Sequence, residues 1–285
     1  MTNFPLLELP ALALHEVMKM MMPIEIFKLA MCSVQLESFL QHRKYRANGL
    51  KISLWRNTSE LLITHSDGWQ IIEFESRKSP FVGVPLSDRY IKEYDRFMYL
   101  THASFVEMFD IHRTLCDICH FPFMEWILHI DQFWYELFFL LLCKVLKTEY
   151  TQLKLVTLSG RLCRSMLTEA MNKVPTTKYL EICSGNIMPL DFDHPNALKF
   201  RRTDYSDARW VKLENLFSIR NVDTVKLRRT NFDCSDLNRF LSPEDILKCH
   251  YHRANHHAID FQSEFLTLDV FGFEVHTVTI RKYKL

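Results

Sequence analysis

Glycine is scarce in this 285-residue chain, with six in all, at 49, 68, 83, 160, 185 and 272. Close backbone approach to a phosphate needs glycines two or three residues apart at a helix start, and no two of these stand so close. That argues against dinucleotide-binding and P-loop chemistry. Charge of one sign is lacking as well: the formal net charge is +1 and the pI about 7.7, so nothing global points to nucleic acid or an anionic membrane. No apolar run is long enough to span a bilayer. The most apolar stretch, Phe133 to Leu146, is interrupted by Glu136 and Lys144 and falls short of the ~18–20 residues required. A buried helix is expected there. The first residues carry Glu8 and two prolines but no basic n-region of a secretory signal. The eight cysteines are scattered, several in apolar segments (Cys32, Cys143, Cys163, Cys183). Buried thiols in a reducing compartment, cytoplasmic and/or nuclear, are the expectation.

Apolar residues make up 48% and aromatics 13% of the chain, enough for a substantial core in one large or two unequal units. Leu9-Pro10 ends an extended lead-in, after which Leu14, Val17, Met18 and Met21 recur at helical spacing. Pro23 can open a second helix, because its missing N–H falls where no intrahelical bond is needed; that helix carries Ile26, Phe27 and Ala30. A third amphipathic piece runs from Val34 to Leu40 and precedes His42-Arg43-Lys44. Three short helices in so few residues bury little surface and need a partner or a neighbouring domain.

Phe4-Pro5-Leu6-Leu7-Glu8-Leu9-Pro10, Val17-Met18, Pro23-Ile24-Glu25-Ile26 and Cys32-Ser33 together resemble an F-box of the form found in the large nematode-expanded families. The resemblance implies docking to a Skp-type adaptor, and through it to the cullin scaffold of a ubiquitin ligase. It places the adaptor contacts on Leu9, Pro10, Val17, Met18 and Met21. The acidic residue that the family often has after Leu-Pro is replaced by Ala11-Leu12-Ala13.

Downstream, Lys51 to Leu54, Leu61 to Ile63 and Gln70 to Phe74 read as strands, with Asp67-Gly68 a hairpin signal between the last two. Pro80 to Pro85, containing Gly83, reads as a linker. Beyond residue 100, apolar-x-apolar strand cores recur at Leu128–Ile130, Leu153–Leu155, Leu180–Ile182, Leu198–Phe200 and Val225–Leu227, in steps of 25, 27, 18 and 27 residues. Helical stripes lie among them: Phe105, Met108, Phe109, His112 and Leu115; Leu162, Met166 and Met171; Trp210, Leu213 and Phe217. Leucine-rich-type repeats run 20–29 residues, and units that cannot bury their apolar faces alone must stack. A curved, repeat-like helix–strand domain follows as the expectation, with an ordinary open α/β sheet as the alternative.

Ala208 to Leu216 and Asn231 to Leu241 resemble the type-2 F-box-associated domain, which implies a role in holding target proteins. After Leu241 the likeness ends, since Ser242-Pro243-Glu244-Asp245 reads as a helix stop and a fresh N-cap. The expected organisation is α+β or α/β: a three-helix F-box at 1–45, a β-hairpin spacer and linker at 46–85, and a leucine-rich-repeat-like target-binding domain at 86–285, atypical from 242.

Two cysteine–histidine groups offer a rival reading as a metal or redox protein. Cys116-Asp117-Ile118-Cys119-His120 has the C-x-x-C-H pattern of haem attachment, but Cys116 continues the apolar stripe of its helix. Cys249, His250, His252, His256 and His257 are denser but match no paired-ligand zinc spacing. No nucleophile–base–orienter set can be assembled, so no catalytic residue, cofactor or resident metal is expected. In the apolar-x-apolar strands alternate residues line the open sheet face. Those residues include Lys154, Lys199, Arg201, Lys226 and Arg228, with Glu181 and Asp131 the acids among them. That face is expected to receive an acidic or phosphorylated segment of a target protein.

Overall fold

The structure is a computed structural model. It describes residues 8–56, 58–66, 68–76, 90–93, 96–101, 104–157, 164–184, 188–216, 223–232, 250–254, 258–262, 266–271 and 274–281, with 75–76, 90–101 and 250–281 described by their backbone. The chain divides into two compact units, residues 1–125 and 126–285, and each is mixed α/β.

The first unit opens with three short helices, α1 (Ala11–Lys19), α2 (Pro23–Cys32) and α3 (Val34–Arg43). Each starts where local chemistry allows. Pro10 immediately precedes α1 and Pro23 is the first residue of α2; the carboxylate of Glu25 reaches back to accept the Met22 N–H at 3.0 Å. Ser33 caps α3, its Oγ accepting the Leu36 N–H at 3.4 Å. The stripes Leu14 and Met18, then Ile24, Ile26, Phe27 and Ala30, then Leu36 and Leu40 are buried. What covers them lies within the same unit. α2 and α3 pack on α4 (Ser104–Ile118), and the Ile24 N–H, one of the donors a helix start leaves open, is satisfied by Gln70 Oε1 at 3.1 Å in a buried bond. The helix that the sequence reading assigned to the C-terminal domain thus supplies the surface that the N-terminal helices lack.

The strands of this unit are β1 (Tyr45–Arg46), β2 (Gly49–Leu54), β3 (Thr58–His65), β4 (Gly68–Ser76), β5 (Tyr90–Glu93) and β6 (Arg96–Thr101), with β7 (Cys119–His120) after α4. β2, β3 and β4 form an antiparallel meander, β6 joins β4 in parallel and β5 flanks β6, while β1 pairs with β7. The hairpin expected near Gly68 is present: His65 pairs with Gly68, whose φ of +148° suits a residue without Cβ. Leu50, Ile52, Leu54, Leu61, Ile63, Ile72 and Phe74 are all buried. The expected linker at 80–85 lies outside the described residues.

The second unit contains most of β8 (Met124–His129), a 3₁₀ turn at Ile130–Gln132, α5 (Tyr135–Val145), β9 (Gln152–Thr157), α6 (Arg164–Lys173), β10 (Tyr179–Ser184), β11 (Arg202–Tyr205), α7 (Leu213–Leu216) and β12 (Thr224–Arg228). β9, β10, β11 and β12 run parallel in sequence order, with Leu153, Leu180, Thr203 and Val225 in register, so the steps are 27, 23 and 22 residues. Their core-facing residues Leu153, Leu155, Leu180, Ile182, Tyr205, Val225 and Leu227 are buried, as are Phe138, Leu142, Leu167 and Met171 on α5 and α6, which pack together. The apolar run at 133–146 is thus a helix of 11 residues, and among the described residues no helix is long and apolar enough to cross a membrane.

One strand reading ends a residue late and another needs correction. The strand expected at Leu128–Ile130 is present as the end of β8, which stops at His129, where Ile130 begins the 3₁₀ turn. Leu198–Phe200 is a buried turn, and the strand starts at Arg202. Leu198 and Phe200 are buried, which produced the alternating pattern, but the inward residues of β11 are Thr203 and Tyr205. The Tyr205 hydroxyl donates to the Ala197 carbonyl at 2.6 Å, and this bond lets the turn fold over the strand.

The segment after Leu241 gives four further strands, β13 (His250–Ala254), β14 (Ala258–Gln262), β15 (Leu266–Phe271) and β16 (Glu274–Arg281). They form an antiparallel ladder, with β16 pairing antiparallel to β12 so that Val278 and Ile280 stand opposite Leu227 and Val225. The parallel progression therefore stops at β12. The alternation of Val275, Thr277, Thr279 and Arg281 with His276, Val278 and Ile280 was a legible strand signal.

Candidate protein-binding surfaces

On the N-terminal helices, Leu9 is half-buried and Pro10 exposed, and Val17 and Met21 are half-buried. Met18 is only 2% exposed and belongs to the core of its own unit. Large apolar side chains on the outer surface lie elsewhere: Leu12 (72% exposed) and Met20 (81%) on and just after α1, Met22 and Met31 bounding and ending α2, and Val34 (81%) at the start of α3. Leu12 and Met20 are eight residues apart, so they share a face of α1 roughly opposite the Leu14–Met18 stripe. That side is not purely apolar: Glu16 lies between them and pairs with Lys19 at 2.7 Å, so Leu12 and Met20 flank an exposed ion pair. The sequence placed Val34 at the start of the third amphipathic piece and assigned no contact to Leu12 or Met20; as apolar residues off the buried stripe, these two were the signal.

In the second unit the open sheet face carries Lys154 on β9, Glu181 on β10, Asp204 on β11 and Lys226 on β12, four residues in one register row. Lys154 Nζ lies 2.7 Å from Glu181 Oε1, and Arg228 grips Asp204 through two bonds of 3.2 and 2.9 Å. Burial works against the charge on both members of the first pair, yet hydrogen bonding outweighs it: bonds from Cys183 and then Lys154 hold the Glu181 carboxyl below its ordinary range, and Glu181 holds the Lys154 ammonium above its own. Lys199 and Arg201 do not stand on this face. Both lie in the turn before β11, and Arg201 Nε donates to Asp223 Oδ2 at 2.6 Å. Asp204 was overlooked because the strand core was placed five residues early, at Leu198–Phe200 instead of Thr203–Tyr205. The face is thus a mixed-charge ladder, and reversing Arg228 would set an acid against Asp204.

The rival cysteine groups gain no geometry. Cys116 Sγ lies 3.4 Å from His112 Nε2 within α4, whereas Cys119 is buried in β7 and its thiol is pushed up to about 12, first by burial and then by neighbouring Cys116. Among the described residues no three His, Cys, Asp or Glu side chains converge as a metal site. Cys249, His256 and His257 lie outside the described residues, and His250 and His252 are described by backbone alone.

Burial also holds the His112 imidazole down, to about 4 from the ordinary 6.5. A buried neutral histidine makes the unfolded chain the better proton binder in that interval. Its contribution to stability is complete above about pH 6.5 and is withdrawn as pH falls toward about 4. The urea midpoint of wild type is expected to drop between pH 7 and pH 5, and His112→Leu should flatten that slope. Parallel pH profiles for the two proteins would show that His112 is not the group responsible.

Comparison with protein-family models, with curated proteins and with solved structures finds no match for this chain.

Proposed function

We propose that this chain is a non-enzymatic substrate-recognition subunit of a cullin–RING ubiquitin ligase, docking a Skp-type adaptor through its N-terminal helices and a target protein through its second unit. The observation that carries the reading is the apolar surface left on the first three helices. Leu12, Met20, Met22, Met31 and Val34 stay exposed although α2 and α3 are packed on α4. These positions accompany the F-box-like residues Leu9, Pro10, Val17 and Met21, so the resemblance and the exposed patch fall on one small region.

For the second unit, support comes from the register steps of 27, 23 and 22 residues, all within the leucine-rich-repeat range. Corrected for the true position of β11, the spacing is more even than the sequence alone suggested. A repeat-like, F-box-associated target-binding domain ending at β12 is the reading we adopt. The mechanism is proximity: one chain holding both adaptor and target raises the local concentration of the target beside the transfer machinery.

The test is direct binding of full-length protein to a purified Skp-type adaptor, measured by calorimetry and by co-elution with cullin. A stable complex is expected. A monodisperse protein that fails to bind adaptor would remove the ligase reading.

A further inference from the structure

At the amino-terminal ends of β9, β10 and β11 the second unit has a cavity of about 400 Å³, lined by Tyr150, Thr151, Thr177, Lys178, Tyr179, Arg201 and Arg202. Three of these seven are cationic and none is acidic. Parallel strands bring them together from three separate segments, since positions 152, 179 and 202 share one register. We propose that this cavity is a phosphomonoester site that receives a phosphorylated side chain of the target protein.

The cations are held in place and retain donors. Arg201 is fixed through its backbone, its N–H donating to Thr176 and its carbonyl accepting the Asp223 N–H at 2.8 Å. Its Nε is engaged by Asp223, which orients the guanidinium and leaves the terminal nitrogens. Lys178 Nζ donates to the Tyr150 carbonyl at 2.6 Å and sits 4.7 Å from the Tyr150 ring centre, and an ammonium with one proton so used has two more. Among the described residues Arg202 is in no ion pair or side-chain hydrogen bond, and it is exposed at the mouth. The Tyr179 phenol is pushed up to about 12, chiefly by burial and then by Glu181 and Asp204, so it remains a donor at neutral pH. Such a set suits a tetrahedral dianion, which accepts several charge-assisted bonds at once, and guanidinium forks match its geometry.

Size and surroundings separate the possible carriers of that phosphate. The cavity has room for a phosphoryl group and the side chain bearing it. Asp204, Glu181 and Asp223 adjoin the cavity and pair with Arg228, Lys154 and Arg201, so the neighbouring cations are neutralised and offer a continuous polyanion little to follow, and the whole chain carries a net charge of only +1. A single phosphate on an otherwise ordinary polypeptide fits; nucleic acid does not. The inference rests on the target-holding reading only for what carries the phosphate. Its test uses no adaptor, so either proposal can fail alone.

Full-length protein is presented with immobilised degenerate peptide libraries fixed at phosphoserine, phosphothreonine or phosphotyrosine, and with the same libraries unmodified. At least one phosphorylated library is expected to be retained about tenfold or more over its unmodified counterpart. Arg202→Gln should reduce that retention several-fold and Arg201→Gln/Arg202→Gln should abolish it, with the thermal midpoint of Arg202→Gln nearly unchanged because its exposed side chain makes no ion pair or hydrogen bond with the described residues. Inorganic phosphate should compete weakly. Equal retention of modified and unmodified peptides overturns the proposal. So do undiminished binding by Arg202→Gln, preference for a single-stranded RNA oligonucleotide, or binding of inorganic phosphate without any of phosphopeptide.

Discussion

Asp207→Ala is expected to destabilise the second unit by about 3 kcal/mol, the largest loss anticipated for a single polar side chain here. The Asp207 side chain is fully buried, with no exposed area. One carboxylate oxygen accepts the Met188 N–H at 2.9 Å and an Arg209 terminal nitrogen at 2.8 Å; the other accepts Arg209 Nε at 2.9 Å. Those bonds tie the segment after β10 to the end of β11. Phe192 and Tyr205 both pack edge-on against Trp210, each at 5.2 Å between ring centres, beside that tie. Removing the carboxylate leaves a buried N–H and a partly buried guanidinium without their acceptor. Asp207→Asn keeps an acceptor for Met188 and should cost less, about 1–2 kcal/mol.

The same group has a pH signature. Burial alone would raise its pKa, but the bonds from Arg209 and from the Met188 and Arg209 backbones outweigh burial and hold the carboxyl below the ordinary 3.8. A depressed acid contributes stability that is complete above the unfolded value and lost as pH falls through the folded one. The gap in urea stability between wild type and Asp207→Asn should therefore be full at pH 7 and narrow below about pH 4. Equal midpoints at pH 7 for wild type and Asp207→Ala would mean that this tie contributes nothing.

The second large effect concerns the proposed adaptor face. Leu9→Ala with Pro10→Ala should weaken adaptor binding by at least about 2 kcal/mol per side chain, which amounts to loss of the complex at micromolar concentrations. Thermal stability should barely move, because Pro10 is exposed and Leu9 only half-buried. Met18→Ala supplies the contrast. With Met18 only 2% exposed, that variant should lose about 2–4 kcal/mol of folding stability and weaken adaptor binding only through unfolding. Full adaptor binding by the Leu9/Pro10 double variant would move the interface away from these residues, and Leu12 with Met20 would be the next pair to test.

Strong local signals were legible in the sequence. Pro23 set the start of α2, the stripe at Leu14 and Met18 fixed the buried side of α1, and the meander from Gly49 to Ser76 followed from alternation and the glycine at its hairpin. The apolar run at 133–146 was legible as a helix too short to span a membrane, but only one side of it is buried, and Trp134, Tyr135 and Leu140 are exposed. β11 was misplaced for a physical reason. A buried turn at Leu198–Phe200 alternates as a strand does, whereas the real strand hides its inward positions behind Thr203 and Tyr205. Displacing that strand core by five residues, from Thr203–Tyr205 to Leu198–Phe200, exchanged Asp204 for Lys199 and Arg201, and so turned a mixed-charge ladder into an apparently basic face.

By itself, then, the sequence determined the strongly periodic helices and strands, which of their faces are apolar, and that the N-terminal helices need covering. Periodicity and capping are short-range properties, written in neighbours three, four or two residues apart. Only the tertiary structure decided what does the covering, because α4 reaches α2 and α3 across a gap of more than sixty residues, a distance at which sequence pattern is silent. It also decided the fate of the charges. Lys154 meets Glu181 and Arg228 meets Asp204 only because parallel strands align in one register, and Lys178, Arg201 and Arg202 gather at one cavity for the same reason. Pairing between strands joins residues more than twenty positions apart, and whether a lysine is neutralised or left free to bind an anion depends on that pairing.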